Sequence, residues 1–392
     1  HEDHIGALGM LWPRLQAPVY ARKFTGALAK AKMEKFGQDP KNVKIVGAWP
    51  EMVEVGPFKV GFVPISHSIP EASALAIDTP AGRVFHSADF KTDPTPLVGE
   101  PFDPDLLKEV AKDGIRALIC DSTNVFSQSA GRSEASLSED MHKLMDGASG
   151  MIVATTFASN VARLKTLALA GREAGRQICV VGRAMNTMIS TAIATEVLSG
   201  FPPYLSAEEA MGVGRSNLLV LATGSQGERR AATASLARGS YLGLELKKGD
   251  TFLFSSKTIP GNEVSVAQIL NQLAEKGVRI IDDSDGRYHV SGHANRPDLE
   301  QLHSLMGPDV VVPMHGEYRH LREHAEVVEG NGGVAVVAPN GTMLDLTSGK
   351  PKPVEFIETG RVYRDGTVLI GAMDGIVRSR IQMALRGHVV VS

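Results

Sequence analysis

The sequence has few cysteines, few aromatic residues and no long apolar run. Its 392 residues include two cysteines, Cys120 and Cys179, and only 5% of them are aromatic. Both cysteines lie in apolar segments typical of buried strands, so we expect them to pack in the core of a protein from a reducing compartment. No segment approaches the roughly 18 consecutive apolar residues that a membrane span requires. These absences argue against a disulfide-stapled secreted domain and favour a cytoplasmic protein with no membrane partner.

The net charge indicates no general affinity for nucleic acid. It is −3 at pH 7, from 41 basic and 44 acidic residues, so any site for a polyanion must be local. One local excess of positive charge lies in residues 161–186, which hold five basic residues and one acidic residue. This cluster could follow a phosphate backbone, or it could be an ordinary solvated helix face. Arg183, in a turn after a predicted strand, is its best candidate for a phosphate contact.

Apolar segments typical of strands alternate with amphipathic segments typical of helices. The predicted strands are residues 43–49, 58–65, 116–121, 150–157, 177–182, 218–224, 250–256, 278–283 and 309–314. Leu299, Leu302 and Met306 recur at helical spacing and predict a helix over 298–307. The alternation predicts an α/β protein. Most predicted strands end in a polar or glycine-rich turn, where ligands of open α/β sheets bind.

The first four residues, HEDH, contain three side chains that bind metals: His1, Asp3 and His4. We place them on a turn before an amphipathic helical face over residues 5–12. Imidazole and carboxylate groups suit zinc or manganese. This segment alone is weak evidence, because turns rich in histidine and aspartate are common.

Further side chains of this kind follow other predicted strands. His67 and Asp89 each lie at the end of a strand, and His315 ends a run of β-branched residues. A single histidine in such a place is more often a hydrogen-bonded structural residue than a ligand. Several ligand-type residues at strand ends together predict a shared site. The remaining histidines are interpreted as structural or surface residues: His86, His142, His289, His303, His320, His324 and His388.

Taken together, these motifs resemble those of the ribonuclease J family, within the β-CASP branch of the metallo-β-lactamase fold. The segments that carry the resemblance are HEDH (1–4), HSIPE (67–71), HSADFKTD (86–93), DSTN (121–124), TTFASN (155–160), GSQGE (224–228), SGHA (291–294) and MHGEYRHL (314–321). HEDH is similar to the end of the H-x-H-x-D-H signature, and the resemblance covers essentially the whole chain. One departure is Ala162, where the family commonly has a histidine.

The resemblance implies a four-layer αβ/βα metallo-β-lactamase fold with an inserted α/β β-CASP domain. The hydrolase core would consist of residues 1–133, truncated at the N-terminus, and residues 291–380. The β-CASP domain would be residues 134–290. Residues 381–392, which end in a strand-like VVVS, would begin a truncated C-terminal extension.

The resemblance also implies a site for two zinc ions, with Mn²⁺ or Mg²⁺ as alternatives. One ion would be held by His1, His67, Asp89 and a histidine two positions before His1. The second would be held by Asp3, His4, His315 and the shared carboxylate of Asp89. Two bridged dications lower the pKa of a bound water and offset the charge on a phosphodiester under attack.

Catalytic and substrate-binding roles follow from the same resemblance. His293 would protonate the leaving 3′-oxygen, and Asp121 would orient the ring and raise its pKa. The residues expected to bind substrate lie in polar turns: Ser291, Gly292, Ala294, Ser225, Gln226, Ser159, Asn160, Phe157 and Arg183. Each of these turns could equally be an ordinary helix cap, and Phe157 could be a core residue.

The implied activity is that of a zinc-dependent ribonuclease with 5′-to-3′ exonuclease and endonuclease activity in RNA processing and decay. Its partner would be single-stranded RNA, and the chain would form a homodimer or homotetramer. One alternative is a DNA-directed β-CASP nuclease, because contacts to the 2′-hydroxyl cannot be read from sequence. Another is a small-molecule lactonase or thioesterase, which needs neither the insertion nor the SGHA histidine. A catalytically silent RNA-binding scaffold is the third.

Overall fold

The computed structural model describes residues 1–284, 286–347, 351–365, 368–371 and 375–387. The strand predicted from VVVS and the predicted surface residue His388 lie outside the described residues.

By its internal contacts the chain divides into two compact units, His1–Ala335 and Val336–Ser392. The helices of the first unit are α1 (Glu2–Ile5), α2 (Leu8–Leu15), α3 (Lys23–Lys35), α4 (Pro104–Ala111), α5 (Ser138–Gly147), α6 (Val161–Glu173), α7 (Arg183–Ala194), α8 (Ala207–Ala210), α9 (Ala232–Arg238), α10 (Glu263–Glu275), α11 (Arg296–Met306) and α12 (Tyr318–Gly330). Its strands are β1 (Val19–Ala21), β2 (Val43–Ile45), β3 (Met52–Val55), β4 (Phe58–Pro64), β5 (Ser73–Thr79), β6 (Gly82–His86), β7 (Ala117–Asp121), β8 (Ile152–Thr155), β9 (Gln177–Val181), β10 (Tyr204–Leu205), β11 (Leu218–Ala222), β12 (Ser240–Tyr241), β13 (Leu244–Glu245), β14 (Thr251–Phe254), β15 (Arg279–Ile281) and β16 (Val311–Met314). The second unit contains β17 (Thr342–Asp345), β18 (Lys352–Phe356), β19 (Val362–Asp365), β20 (Val368–Gly371) and α13 (Gly375–Arg386).

The first sheet has six strands in the order β16-β7-β6-β5-β4-β3. Strands β3 to β6 form an antiparallel meander, and β6, β7 and β16 run parallel. The buried side chains of Val63, Phe85 and Leu118 belong to one apolar core with residues of α4 and α11. Met314 of β16 pairs with Asp121 of β7, so these two strands end side by side. Residues that follow them therefore share one edge of the sheet.

The second sheet is parallel throughout, in the order β10-β9-β11-β8-β14-β15. Along β8, Ile152 and Ala154 join a core with α5, α6 and α7, while Val153 joins a core with α8, α9 and α10. A parallel sheet covered by helices on both faces needs strands that are apolar on both sides. This explains why its strands are continuous apolar runs in the sequence.

The prediction of an α/β protein is confirmed, since all nine predicted strand segments contain a strand and α11 occupies the predicted helix. Cys120 and Cys179 are free thiols buried in the two cores, as expected. Within the described residues, no helix combines the length and the apolarity that crossing a bilayer demands. The helical face predicted over residues 5–12 is confirmed for Leu8 and Trp12 of α2, which pack against one core, but the turn predicted to carry Asp3 and His4 is wrong, because both lie in α1. Helix α1 ends at Ile5, α2 starts at Leu8, and Leu11 is exposed.

Both interpretations of the basic cluster in residues 161–186 are wrong for two of its members. Arg163 and Arg176 are buried, so neither can follow a phosphate backbone or lie on a solvated face. The guanidinium group of Arg176 donates to the backbone carbonyls of Met145, Ala148 and Gly150. Its role is to fix the ends of elements around the second sheet.

Arg163 connects the second sheet to the segment through which the chain returns to the first. Its side chain is fully buried and donates two hydrogen bonds to Glu134, of 2.6 and 3.0 Å. It also donates to the carbonyls of Ser255, at 2.9 Å, and Val290, at 3.3 Å. Ser255 follows β14, and Val290 directly precedes Ser291. These hydrogen bonds hold the start of the SGHA turn against the second sheet.

We expect Arg163→Met to lower the free energy of unfolding by about 3–5 kcal/mol, because it leaves the carboxylate of Glu134 buried without its partner. Urea denaturation measures the loss. The matched control is Arg172→Met, on the exposed side of the same helix, where a change within about 0.5 kcal/mol is expected. Equal effects of the two substitutions would contradict the role given to Arg163.

Candidate metal centre and catalytic site

His67, Asp89 and His315 follow strands of the first sheet, whereas Asp3 and His4 lie in helix α1. Asp89 comes three residues after β6, and His315 directly follows β16. Ala88 and His315 have left-handed backbone conformations, with φ of 52° and 60°. Such conformations are costly for residues other than glycine, and they are found where the surrounding structure holds a functional side chain in place.

Asp89 is the centre of the site. Its side chain is buried, and three imidazoles surround it. His4 Nε2 lies 3.0 Å and His67 Nε2 lies 3.9 Å from its Oδ2, and His315 Nδ1 lies 2.8 Å from its Oδ1. His315 is not aligned for a hydrogen bond, so Oδ1 has no hydrogen-bond partner among the described residues. A buried carboxylate oxygen without a donor is one that a bound cation would satisfy.

Two groups of possible ligands share this carboxylate. In one group the ligand atoms of Asp3, His4 and Asp89 all lie within 4.8 Å of one another, and in the other those of His67, Asp89 and His293 do so. Imidazole nitrogens and carboxylate oxygens are ligands for zinc and related divalent ions. The residues present therefore fit a divalent cation bound beside Asp89.

The pKa shifts of Asp89 and His67 agree with that interpretation, whereas Asp89 raises the pKa values of His4 and His315, so a cation would displace protons from these two rings. Burial alone would raise the pKa of Asp89, but His315, His4, His67 and His293 lower it far below its usual value. Burial, followed by the charge of His293, lowers the pKa of His67 to about 3. Asp89 is thus ionised and His67 neutral, which are the forms that bind metals.

Gly292 orients His67. His67 Nδ1 donates a hydrogen bond of 2.6 Å to the carbonyl oxygen of Gly292, which leaves Nε2 free on the side of Asp89. A Cβ atom at position 292 would lie only 2.7 Å from His67 Cε1. Only glycine allows this close approach, so Gly292 acts on the ligand His67 through its backbone.

His293 and Asp121 form a hydrogen-bonded pair beside the cluster. His293 Nδ1 lies 2.7 Å from Asp121 Oδ2, and Asp121 is almost completely buried. The amide and hydroxyl groups of Thr123 donate to the other oxygen of Asp121. Burial disfavours the charged imidazole, but the hydrogen bond and charge of Asp121, together with Asp89 and Asp3, raise the pKa of His293. A histidine held in this way can carry a proton to a nearby group.

A buried chain of hydrogen bonds supports the Asp121 turn from behind. His324 Nδ1 lies 2.8 Å from the hydroxyl of Ser122, and its Nε2 lies 3.0 Å from Nε2 of His303. The ligand atoms of Cys120, His303 and His324 also lie within 4.8 Å of one another, but the two imidazoles are already bonded to each other. The interpretation of both histidines as structural agrees with these contacts. No local motif indicates that they support the turn of Asp121.

His1 lies beside the ligand groups rather than within them. Its ring centroid is 4.9 Å from that of His67. However, its Nδ1 is hydrogen-bonded to Ser159 and its Nε2 to Ser68. The structure therefore does not bring the nitrogens of His1 to Asp89, as it does those of His4 and His315.

Some of the residues predicted to bind substrate form hydrogen bonds within the protein, and the rest differ in how exposed they are. Several already have structural partners. The side chain of Asn160 caps α6 by accepting from Arg163 N. That of Gln226 holds the segment after β14 through Lys257 O and Ile259 N. Ser291 Oγ accepts hydrogen bonds from Asn124 and from the amide of His293.

The others differ in exposure. Ser225 and Ala294 are buried, Phe157 and Ser159 are half-buried, and Arg183 is exposed on the first turn of α7. Two further hydroxyls are those of Thr156, within the TTFASN segment, and Ser256, which follow β8 and β14. Both are buried and have no hydrogen-bond partner among the described residues. No sequence signal separates them from ordinary strand-end hydroxyls.

Family comparisons match two parts of the chain. The family model described as "Ribonuclease J, beta-CASP domain" matches residues 149–273, and "Zn-dependent metallo-hydrolase RNA specificity domain" matches residues 287–339. The second sheet lies almost entirely within the first match. Together with the mixed α/β architecture, these matches confirm the prediction of a metallo-β-lactamase fold with a β-CASP insertion.

Similar proteins cover the whole chain. Ribonuclease J of Sinorhizobium meliloti is 40% identical over 395 residues, which span 100% of this chain and 70% of that protein. Ribonuclease J of Corynebacterium glutamicum is 33% identical over 398 residues, which span 100% of this chain and 55% of that protein. Among solved structures, a protein of unknown function from Enterococcus faecalis V583 is similar, with a TM-score of 0.56 at 17% identity over 82% of this chain and 74% of that one. The last likeness concerns the fold alone.

We expect Gly292→Ala to weaken zinc binding about 10- to 100-fold, because the added methyl group displaces His67 and breaks the hydrogen bond that orients it. Competition with a chromophoric chelator measures the affinity. The control is Gly147→Ala, where a Cβ atom would meet nothing within 4 Å. If both variants bind zinc as tightly as the unaltered chain, Gly292 does not orient a ligand.

Proposed function

This chain belongs to the ribonuclease J family, and we propose that its site around Asp89 hydrolyses the phosphodiester bonds of single-stranded RNA as a metal-dependent ribonuclease. The observation that carries the proposal is the buried carboxylate of Asp89, which belongs to two groups of side chains that could hold a metal ion. His293 is a member of one group and is also paired with Asp121, so we assign it the role of acid and not of ligand. Phosphodiester hydrolysis needs both an activated water and a group that can protonate the leaving oxygen. This site offers candidates for both.

Two zinc ions are the proposed cofactors, with Mn²⁺ or Mg²⁺ as alternatives. Asp3, His4 and His315 would hold one ion and His67 the other, with Asp89 between them. His1 would need to turn from its serine partners to take part. When bound, two such ions lower the pKa of a water and offset the charge that develops at phosphorus. The protein's contribution is the fixed direction of each ligand, as in the contact of Gly292 with His67.

His293 is the proposed general acid. Asp121 holds its ring through Nδ1, so Nε2 is the nitrogen left to donate a proton to the leaving 3′-oxygen. The negative charge of Asp121 favours the protonated ring before transfer. Because Asp121 is itself held by Thr123 and by the Ser122–His324 contact, the ring has one orientation.

Substrate phosphates would be bound by hydroxyl and amide groups at the strand ends. The unpartnered hydroxyls of Thr156 and Ser256 support this, since a buried donor without an acceptor is costly. The predicted roles of Ser291, Gly292, Ala294, Ser225, Gln226, Ser159, Asn160, Phe157 and Arg183 belong to this proposal. Of these, Asn160 and Gln226 are the weakest candidates, because their side chains already hold the fold together.

The domain bounds, the mode of cleavage, the compartment and the oligomeric state are proposals as well. We assign residues 1–133 and 291–380 to the hydrolase core and 134–290 to the insertion, which contains the second sheet. We propose 5′-to-3′ exonuclease and endonuclease activity in RNA processing and decay, in the cytoplasm, by a homodimer or homotetramer. The two free, buried cysteines agree with a reducing compartment.

We expect His293→Ala to lower kcat on 5′-labelled single-stranded RNA by about 10² to 10⁴, the usual contribution of a general acid. Its zinc content should equal that of the unaltered chain. The control is His142→Ala, a half-buried histidine on α5, which should leave kcat unchanged.

Other results of these cleavage and zinc measurements would each contradict a different part of the proposal. Loss of zinc with His293→Ala would make His293 a ligand and not the acid. Cleavage of single-stranded DNA as fast as RNA would favour the DNA-directed alternative. Failure of the unaltered, zinc-loaded protein to cleave either polymer would remove the proposed function.

A further inference from the structure

An exposed phenylalanine lies close in the chain to the catalytic turn. Phe126 follows Asn124 of the DSTN segment by two residues, and 44% of its surface is exposed. Within the described part of the first unit, Phe58 is the one other exposed phenylalanine, at 42%. Phenylalanine is among the residue types most often fully buried, and the 44% exposed surface of Phe126 leaves part of its ring accessible to a ligand.

The ring of Phe126 is held by residues of α12. The guanidinium of Arg319 lies 5.5 Å from its centroid, within the range of a cation–π contact. The ring of His320 meets it edge-on, with the centroids 5.2 Å apart. His320 is fixed in turn, because its Nδ1 accepts a hydrogen bond from the amide of Glu317. The three side chains, which we call the Phe126 platform, thus form an ordered surface.

The platform adjoins the candidate site on two sides. Asn124 Nδ2 donates to Ser291 Oγ, at 2.8 Å, and to the carbonyl of His293, at 3.3 Å. On the other side, α12 starts three residues after His315. Because β7 and β16 end side by side, both segments of the platform leave the sheet at the edge where the site lies.

We propose that the Phe126 platform stacks against one nucleobase of the single-stranded RNA bound at the site. The proposal rests on the proposed ribonuclease function and adds a contact to it. An aromatic ring stacks on any base, since every base has a π-face, and a neighbouring arginine strengthens such a contact. Glu317 pairs with Arg319 at 3.3 Å and offsets its charge, so the platform offers stacking more than phosphate binding. A contact of this kind holds RNA with little regard to its sequence.

The test compares Phe126→Leu with the matched control Phe58→Leu. Leucine keeps an apolar side chain and removes the π-face. Binding of a single-stranded RNA oligonucleotide is measured in the His293→Ala background, so that the RNA is not consumed, and KM and kcat are measured in the otherwise unaltered chain. We expect Phe126→Leu to weaken binding and raise KM about tenfold with little change in kcat, and Phe58→Leu to change neither.

A second variant reports the contact directly. Phe126→Trp should bind RNA as tightly as phenylalanine, and its added fluorescence, beyond that of Trp12 and Trp49, should be quenched by the oligonucleotide. Unchanged affinity of Phe126→Leu, or unquenched fluorescence of Phe126→Trp while RNA is bound, would overturn the platform and leave the ribonuclease function standing. If the unaltered protein neither binds nor cleaves RNA, both proposals fail together.

Discussion

The buried carboxylate of Asp89 is the constraint on which the rest of the site depends. Moving an ionised carboxylate out of water costs several kcal/mol unless opposite charge or hydrogen bonds compensate. Here the surroundings are imidazoles, of which His67 is neutral, and one carboxylate oxygen has no hydrogen-bond partner among the described residues. The neighbouring histidines stabilise the ionised carboxylate, and a divalent cation held by the same groups would do so more strongly. The left-handed backbone at Ala88 and His315 shows that the fold accepts further cost to place these groups together.

One short segment connects Arg163, the candidate ligand His67 and the proposed acid His293. Residues 288–294 run from the second sheet back towards the first, and Arg163 holds this segment through the carbonyl of Val290. Two residues later the carbonyl of Gly292 orients His67, and the next residue is His293 itself. The position of the proposed acid, the direction of a proposed metal ligand and the contact with the second sheet are therefore set by the same few peptide units.

The strands and the metal-binding side chains could be predicted from the sequence because both depend on local patterns. Apolar runs predicted β4, β7 and β16 of the first sheet and five of the six strands of the second, whereas β3, β5, β6 and β10 were not predicted. The motifs around Asp89 and His315 lie at strand ends. The burial of Arg163 could not be predicted in this way. A cation on a helix is usually solvent-exposed, and its partners Glu134, Ser255 and Val290 come from three distant segments. The serine partners of His1 are 67 and 158 residues away, and the exposure of Phe126 depends on how α12 packs.

For the same reason, the sequence does not show whether a polar side chain at a strand end binds substrate or the protein's own backbone. Asn160 and Gln226 lie in motifs that the resemblance connects to substrate, yet both side chains bond to the protein's own backbone. Thr156 and Ser256 have no such partners, although their sequence context is no more distinctive. Whether a strand-end hydroxyl is satisfied depends on the neighbouring strand, and the order of strands in the sheet is not written in any single segment.

The most direct test of the account is anomalous diffraction at the zinc edge from crystals of the chain loaded with Zn²⁺. The account predicts two peaks, about 3.5–4 Å apart, each about 2.0–2.2 Å from an oxygen of Asp89, one on the side of His4 and the other on the side of His67. A single peak, or two peaks that do not share Asp89, would contradict it.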